Sequence, residues 1–266
     1  MIAAKAWRDI RLIVLLYVLL LQSLLVIAIL HWPALRDTRE SLAPLKSMMP
    51  AAFLRRIMDD LMDPADVFAF RVYMAVQMFF KGANIIGVSC ACLLGTAMIA
   101  RERENGTLEF LLARPVSRAR ILATKYAVAA AALTVPLVVT SWTAVPLSAW
   151  IGEELPFGAV TTAALYASLY SVLFLTLAAI LSVRLRTQMH VAFVVGSVIV
   201  FQVCLYFIPE IRRFSLWRLS DYDVYGPILA ENVGPWALLR NEALWLLLAT
   251  AAGYTIAHRL FRRAEL

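Results

Sequence analysis

The sequence predicts an all-α integral membrane protein with six transmembrane helices, and three observations support this fold class. Of the 266 residues, 62% are hydrophobic and only 16% are charged, whereas soluble domains are about 45–50% apolar and about 25% charged. The mean hydropathy is +0.77, and a chain of this length encloses too little interior to bury that surface in water. Six charge-free stretches complete the pattern. Together these observations exclude an ordinary soluble enzyme and a disordered chain.

The six stretches match the ~20 residues that a helix needs to cross a bilayer. They are Leu12–Leu30, Gly82–Ala100, Tyr126–Gly152, Leu155–Val183, Thr187–Pro209 and Ala243–His258. The last is short, so we expect it to include Leu238 and Leu239 and to tolerate Arg240 and Glu242 near its outer end. No alternating ten-residue pattern suggests a barrel. We therefore expect residues 1–266 to form a single six-span domain.

The distribution of charge predicts that both termini are cytoplasmic. Six spans place residues 1–11, 101–125, 184–190 and 259–266 on one side, with 14 Lys and Arg against five Asp and Glu. The longer segments on the other side hold 11 basic and 13 acidic residues. Lys and Arg concentrate in the cytoplasmic loops of membrane proteins.

Three segments outside the spans are expected to be helical at a membrane surface. Residues 1–11 resemble a cytoplasmic interfacial helix. Within the external segment 31–81, Ala51–Met62 has a helical period with one apolar face, as in amphipathic helices that lie on a bilayer. The external segment 209–237 has prolines around Trp217, Tyr222 and Tyr225, which indicates short broken helices that are interfacial or re-entrant. Packing alone would also explain the last two segments.

Ionisable groups in membrane spans mark ion and proton pathways, and we expect none in these span interiors. Lys81, His190, Arg240 and Glu242 are placed at span edges. This disfavours a carrier driven by protons or sodium through a midplane carboxylate.

Residues for catalysis, metal binding and ATP binding are also missing from the pattern. The three histidines are far apart, and Cys90 and Cys92 would point to different sides of a helix. No lysine follows a glycine in the pattern of a phosphate-binding loop. We therefore predict no catalytic residue, no metal site and no cofactor bound by this chain, so that energy for any transport comes from a partner.

The loop between the second and third stretches carries the most specific pattern. It begins with the charge cluster Arg101–Glu104, expected on the last turn of the second membrane helix. Asn105 and Gly106 tolerate the left-handed conformation that ends helices. Thr107 is a candidate N-cap of a new short helix, and Glu109 lies in its first turn, where a negative charge interacts favourably with the helix dipole.

Leucines share one face of this short helix, at Leu108, Leu111 and Leu112. Pro115 is expected to end the helix and Ser117 to cap the third membrane helix. A helix of about two turns is unstable alone in water, so we expect it to be held between two spans, with its leucines exposed to the cytosol as a docking surface. The residues alone equally allow a loop whose leucines dip into lipid.

The run from Glu102 to Arg118 reads ERENGTLEFLLARPVSR, and Lys125 follows in the next helix. It resembles the signature of permease subunits of type 2 ATP-binding-cassette exporters, which runs E-R-E-x-G-T-L-E-x-L-L-x-x-P-V-S-R before a lysine. The six-span layout extends this likeness to the whole chain. The resemblance implies that 101–122 is a cytoplasmic coupling loop, with a coupling helix at Thr107–Ala113 seated in a cleft of a separate ATPase.

The same resemblance implies the roles and partners that follow. The ATPase-coupling residues would be Glu102, Arg103, Glu104, Gly106, Thr107, Leu108, Glu109, Leu111, Leu112, Pro115 and Arg118. ATP and Mg would be bound by the partner, a cytoplasmic ATP-binding subunit present in two copies. A second permease copy is implied, with a homodimer favoured over a heterodimer, and an external accessory protein is left open. We expect a multi-pass location in a bacterial inner membrane and no nucleic acid.

Family likeness places the substrate pathway at a dimer seam lined by the first, second and fifth spans. The candidate pathway residues are Gln22, Asn84, Ser89, Thr96 and Gln202, although small polar residues in membrane helices more often hold helices together. A function from another class is also open: a membrane anchor or assembly scaffold that couples an ATPase to an external partner without moving a substrate. A scaffold would need no continuous polar lane between subunits.

Overall fold

The computed structural model describes residues 2–38, 57–61, 69–113 and 116–263, and within them all regular elements are helices. Six are long and apolar enough to cross a membrane, as the sequence predicts. We refer to them in chain order as the first to sixth spans: Ile2–Thr38, Ala69–Thr96, Arg118–Trp150, Phe157–Arg184, Gln188–Phe207 and Pro235–Arg263.

The first and second spans begin furthest before their expected starts. The first span is one continuous helix that includes the expected interfacial helix 1–11 from Ile2 onward. The second begins at Ala69 rather than Gly82, and it is π-helical over Ala75–Gly87. Lys81 therefore lies in the middle of a span and not at its edge, so the prediction that span interiors contain no ionisable group was wrong. The helix continues through Lys81 because this side chain points to an exposed face.

The fourth span is the centre of the bundle. It contacts the second, third, fifth and sixth spans, while the first span packs mainly on the third and second. Small residues allow close approach: a methyl group on Gly95 would overlap Ala178, and one on Gly253 would lie 2.8 Å from Thr176 Cγ2. Such small-residue contacts are typical of helix packing in membranes. The fifth span is peripheral, and only three of its 20 residues are buried.

The segment between the fifth and sixth spans is a run of short helices, as expected. Arg212–Phe214 and Leu216–Ser220 are 3₁₀ helices, and Tyr222–Leu229 is an α-helix. The segment packs into the bundle and not only on its surface, because Trp217, Tyr225 and Leu229 are buried.

Of the expected amphipathic helix Ala51–Met62, the structure describes residues 57–61, and these are helical. Ile57 and Leu61 are buried, which matches the apolar face. Tyr222 donates a hydrogen bond to Asp60 Oδ2 at 2.7 Å. The remainder of that expected helix lies outside the described residues.

Candidate functional site

The loop between the second and third spans forms two short helices separated by a turn. Ala100–Glu104 is the first, and a turn at residues 97–99 separates it from the second span. We had expected Arg101–Glu104 to be the last turn of the second membrane helix, and this prediction was wrong. The second helix, Leu108–Leu112, is called the loop helix below. Pro115, which was expected to end it, lies outside the described residues.

Ser182 of the fourth span stabilises the break before Ala100. Its hydroxyl accepts hydrogen bonds from the backbone N–H groups of Ile99 and Ala100, both at 2.9 Å. The same hydroxyl donates to the carbonyl oxygen of Thr96 at 3.1 Å. Backbone groups that a helix end leaves unpaired need such partners when buried. The loop thus has a fixed attachment to the central span, which the sequence motif did not indicate.

Glu102 is the centre of an ionic cluster that we call the Glu102 cluster, made of Glu102, Lys5, Lys125 and Thr107. Lys5 Nζ lies 2.9 Å and Lys125 Nζ 2.8 Å from Glu102 Oε1. The Thr107 hydroxyl also donates to the Glu102 carboxylate. Glu102 is only 6% exposed and Lys125 only 8%. The cluster joins the start of the first span, the loop and the third span.

Burial and hydrogen bonding act in opposite directions on the pKa of Glu102. Burial raises this pKa, but the hydrogen bonds from Lys125, Thr107 and Lys5 outweigh it and lower the pKa from 4.5 to about 2. Opposite charges and donated hydrogen bonds stabilise the ionised form of a carboxylate. Glu102 is therefore ionised in neutral solution. A cavity of about 240 Å³, bordered by Lys5, Asp9 and Arg101, opens beside it.

Thr107 is at the N-cap position of the loop helix, but its side chain does not cap that helix. Its hydroxyl bonds to Glu102 instead, so the expected role was wrong. Gly106 has φ of +67°, which agrees with the expected left-handed turn. The backbone N–H of Thr107 donates to the Glu102 carbonyl at 2.9 Å and closes this turn.

Arg103 and Glu104 contact the connection between the fourth and fifth spans. Arg103 donates to the carbonyls of Leu185 at 2.8 Å and Val183 at 3.1 Å, where the fourth span ends. Glu104 Oε2 accepts from the backbone N–H of Gln188 at 3.0 Å, where the fifth span begins. A cation at a helix C-terminus and an anion at an N-terminus both complement the helix dipole. These charges therefore have specific backbone partners.

The exposed surface of the loop helix differs from the expected one. Leu108 and Leu111 are 3% and 5% exposed and belong to the main apolar core, so the expectation that they face the cytosol was wrong. Leu112 ends the helix, and its side chain lies outside the described residues. Phe110 is 77% exposed and Glu109 is also exposed. Leu108 and Leu111 are buried because the loop helix packs one face on its own chain. Among the side chains of this helix that the structure describes, Phe110 is the apolar one that faces outward.

The third span starts as expected, with Ser117 accepting a hydrogen bond from the backbone N–H of Arg120 at 3.3 Å. Arg118 is the first helical residue and is half-buried.

The five candidate pathway residues occupy different environments. Asn84 and Thr96 are buried, at 0% and 1% exposure, so they do not line a surface of this chain. Asn84 donates to the carbonyl oxygen of Ser220 at 2.6 Å. Gln22 accepts from Thr143 at 3.2 Å, and Gln202 accepts from the backbone N–H of Leu216 at 2.7 Å. Ser89 is the one of the five that is exposed.

A second buried carboxylate lies at the opposite end of the bundle from Glu102. Asp221 is 1% exposed and pairs with Arg212. It accepts from Tyr206 Oη at 2.7 Å and from the backbone N–H of Tyr222 at 2.6 Å, where it caps the helix Tyr222–Leu229. Burial raises the pKa of Asp221, and these partners do not fully offset that effect. Sequence reasoning gave no role to this residue.

Comparison with known proteins shows the family to which the chain belongs. A family model described as "ABC-2 family transporter protein" matches residues 2–212. The match covers the first five spans, the loop helix and the Glu102 cluster. No curated protein matches this chain.

Proposed function

Because this chain belongs to the ABC-2 transporter permease family, we propose that it is the transmembrane permease subunit of an ATP-binding-cassette exporter driven by a separate ATPase. The family pairs in general with a cytoplasmic ATPase subunit, and the chain is a multi-pass membrane protein. On this proposal it works in a bacterial inner membrane as one of two permease copies, with two ATPase copies that bind ATP and Mg.

The observation that carries the proposal is the exposure of Phe110 on a helix whose opposite face is anchored. Exposed aromatic side chains are frequent anchors of protein interfaces, where they fill a pocket of the partner. Leu108 and Leu111 hold the loop helix to its own chain. The ATPase therefore contacts the outward side, through Phe110 and Glu109. This assignment replaces Leu108 and Leu111 as direct docking residues, whereas the docking role of Leu112 stays a prediction.

The Glu102 cluster supplies the mechanical connection in this mechanism. A rigid-body movement of the ATPase displaces the loop helix, and Thr107 and Glu102 pass this displacement to the first and third spans through Lys5 and Lys125. Arg103 and Glu104 act in parallel on the ends of the fourth and fifth spans. Packed elements linked in this way move together and not independently. Alternating access then follows from movement of these spans.

The experiment compares variants on the two faces of the loop helix. Tagged Phe110→Ala should insert normally but lose most of the ATP-binding subunit that the wild-type chain retains on purification from its native membranes. Truncating a well-buried interface aromatic costs about 2 kcal/mol or more of binding. Phe214→Ala is the matched control, because Phe214 is an aromatic that is 63% exposed at the opposite end of the bundle.

Leu111→Ala should instead lower the stability of the chain itself, since Leu111 is 5% exposed within it. If Phe110→Ala retains the ATP-binding subunit as well as Phe214→Ala does, the proposed docking surface is wrong.

The proposed orientation places residue 105 in the cytosol and residue 232 outside. Both Asn105 and Asn232 are exposed, so a cysteine at either position can react with a membrane-impermeant maleimide. In a chain without its three native cysteines, Asn232→Cys should label in intact cells and Asn105→Cys only after permeabilisation. Labelling of Asn105→Cys in intact cells would contradict the proposed orientation and indicate the opposite one.

A further inference from the structure

The second span carries a charged side chain within the depth of the membrane. Lys81 is exposed and is the central residue of the π-helical stretch Ala75–Gly87. Its neighbour Gly82 fixes its depth, because a Cβ there would lie 3.2 Å from Leu24 Cδ2 of the first span. Leu24 lies six residues inside the end of the charge-free stretch Leu12–Leu30. Six helical residues span about 9 Å, so the backbone at Lys81 lies well inside the apolar layer.

Lys81 forms no ion pair or hydrogen bond within the described part of the chain. Ionisable side chains at this depth are costly and usually mark the path of a substrate or an ion. The local backbone is a second, independent observation. π-Helical geometry is rare, occurs mostly as single turns and is frequent at functional sites, yet here it extends over 13 residues centred on Lys81.

Three side chains that follow Lys81 in the chain share one exposed face of the second span with it. They follow at intervals of four residues and are Ile85, Ser89 and Leu93. Ile85 is 59% exposed and Leu93 51% exposed. The second span contacts both the first and the fifth spans. The exposed face combines one cation, one hydroxyl and two apolar side chains.

We propose that the exposed face of Lys81, Ile85, Ser89 and Leu93 contacts the transported substrate, and that this substrate is an amphiphilic anion. Lys81 pairs with the anionic group, while Ile85 and Leu93 contact the apolar portion. The inference rests on the proposed transport function and adds the chemical class of the substrate. Two permease copies facing each other would bring two ammonium groups together, and an anion between them removes that repulsion.

The test uses the permease with its ATPase in phosphatidylcholine liposomes. The probe is dodecyl phosphate below its micellar concentration, with dodecylphosphocholine as the zwitterionic probe of equal chain length. ATP hydrolysis should rise with dodecyl phosphate at a lower concentration than with dodecylphosphocholine. Lys81→Gln should raise the half-maximal concentration of dodecyl phosphate by about tenfold, as for loss of a charge-assisted contact, and Lys81→Arg should preserve it.

Arg213→Gln is the matched control, because it removes an exposed positive charge between the fifth and sixth spans without changing the second span. Its half-maximal concentration should equal that of the wild-type chain. Equal half-maximal concentrations for Lys81→Gln and the wild type would overturn the proposal, and so would the absence of any stimulation by dodecyl phosphate.

The anion bound by Lys81 could come from the bilayer and not from a substrate, and a second set of liposomes separates these sources. If Lys81 only reaches lipid headgroups, its replacement changes activity when phosphatidylglycerol is added, with no change in the response to dodecyl phosphate. That result would overturn the substrate assignment. Retention and basal activity of the ATPase are measured in parallel, because their loss would contradict the proposed function, whereas their preservation with no anion response contradicts only this inference.

Discussion

Two buried carboxylates hold opposite ends of this bundle, and they are built differently. Glu102 pairs with residues 23 and 97 positions away in the chain. The partners of Asp221 lie 1, 9 and 15 positions away. Glu102 therefore connects separate spans, whereas Asp221 organises one local segment. Loss of the Glu102 carboxylate would therefore remove contacts between spans, whereas loss of the Asp221 carboxylate would remove contacts within one local segment.

The two carboxylates also differ in the balance between burial and attraction to their partners, which sets the direction of each pKa shift. Two lysines and a threonine lower the pKa of Glu102, so burial is more than offset. At Asp221 burial dominates and raises the pKa despite Arg212. A buried carboxylate with one cation is close to the limit at which the attraction no longer offsets the cost of desolvation. Asp221 and its partners thus serve local geometry more than net stability.

The largest expected effect is on Glu102→Gln, which leaves the buried ammonium of Lys125 without its carboxylate. We expect the free energy of unfolding in mixed micelles to fall by about 3 kcal/mol. The matched control is Glu104→Gln, since Glu104 is exposed and an amide oxygen can still accept the bond from Gln188. Its loss should stay within about 0.5 kcal/mol. Similar losses in the two variants would contradict the central role of Glu102.

Acid unfolding should separate the two carboxylates next. The pKa of Glu102 is about 2, below its ordinary 4.5, so its stabilising contribution is complete above pH 4.5 and is lost as the pH falls toward 2. The raised pKa of Asp221 has the opposite sign, because protonation then favours the folded state. The free energy of unfolding is measured between pH 6 and pH 2.5. In the wild-type chain it should fall with decreasing pH, and Glu102→Gln should remove most of this decrease, whereas Asp221→Asn should not. An unchanged acid limb in that variant would contradict this assignment.

A smaller effect is expected for Asp221→Asn. The asparagine oxygen can still accept from Tyr206 and from the N–H of Tyr222, while the desolvated charge is removed. Arg212, however, loses the charge of its partner, so we expect unfolding to become easier by about 1 kcal/mol, measured as for Glu102. Asp223→Asn is the control, because the Asp223 side chain is 50% exposed. A loss as large as that of Glu102→Gln would remove the distinction between the two ends.

The smallest expected effect is on Lys5→Met, which keeps side-chain length and removes the charge. The Lys5 side chain is 37% exposed, and Lys125 still pairs with Glu102. Exposed pairs contribute about 0.5 kcal/mol, and Lys5→Arg should restore this contribution. A loss near that of Glu102→Gln would mean that Lys5, and not Lys125, is the main partner.

The number and order of the spans followed from the sequence because hydropathy adds along the chain without knowledge of neighbours. The position of Lys81 did not follow, since a charge was taken as the end of a span, whereas a helix can continue through a lysine on an exposed face. The loop motif predicted a short helix between the second and third spans, and the structure confirms this helix. Which face of the loop helix packs inward depends on spans far away in the chain, and so Leu108, Leu111 and Phe110 could not be assigned in advance.

Long-range partners were the other gap. Lys125 belonged to the motif, but its contact with Glu102 and the third contact from Lys5 depend on how the first and third spans pack. The same holds for Ser182, a serine within an apolar stretch that resembles many others. Its role depends on its position opposite the break before Ala100.

The central position of the fourth span has a consequence for biogenesis. Membrane helices insert individually and associate afterwards, and this span follows the second in synthesis by some 60 residues. Until it inserts, the surface around Gly95 faces lipid and Ser182 cannot pair with the backbone of Ile99 and Ala100. A nascent chain that stops before residue 157 therefore holds the loop without its central support.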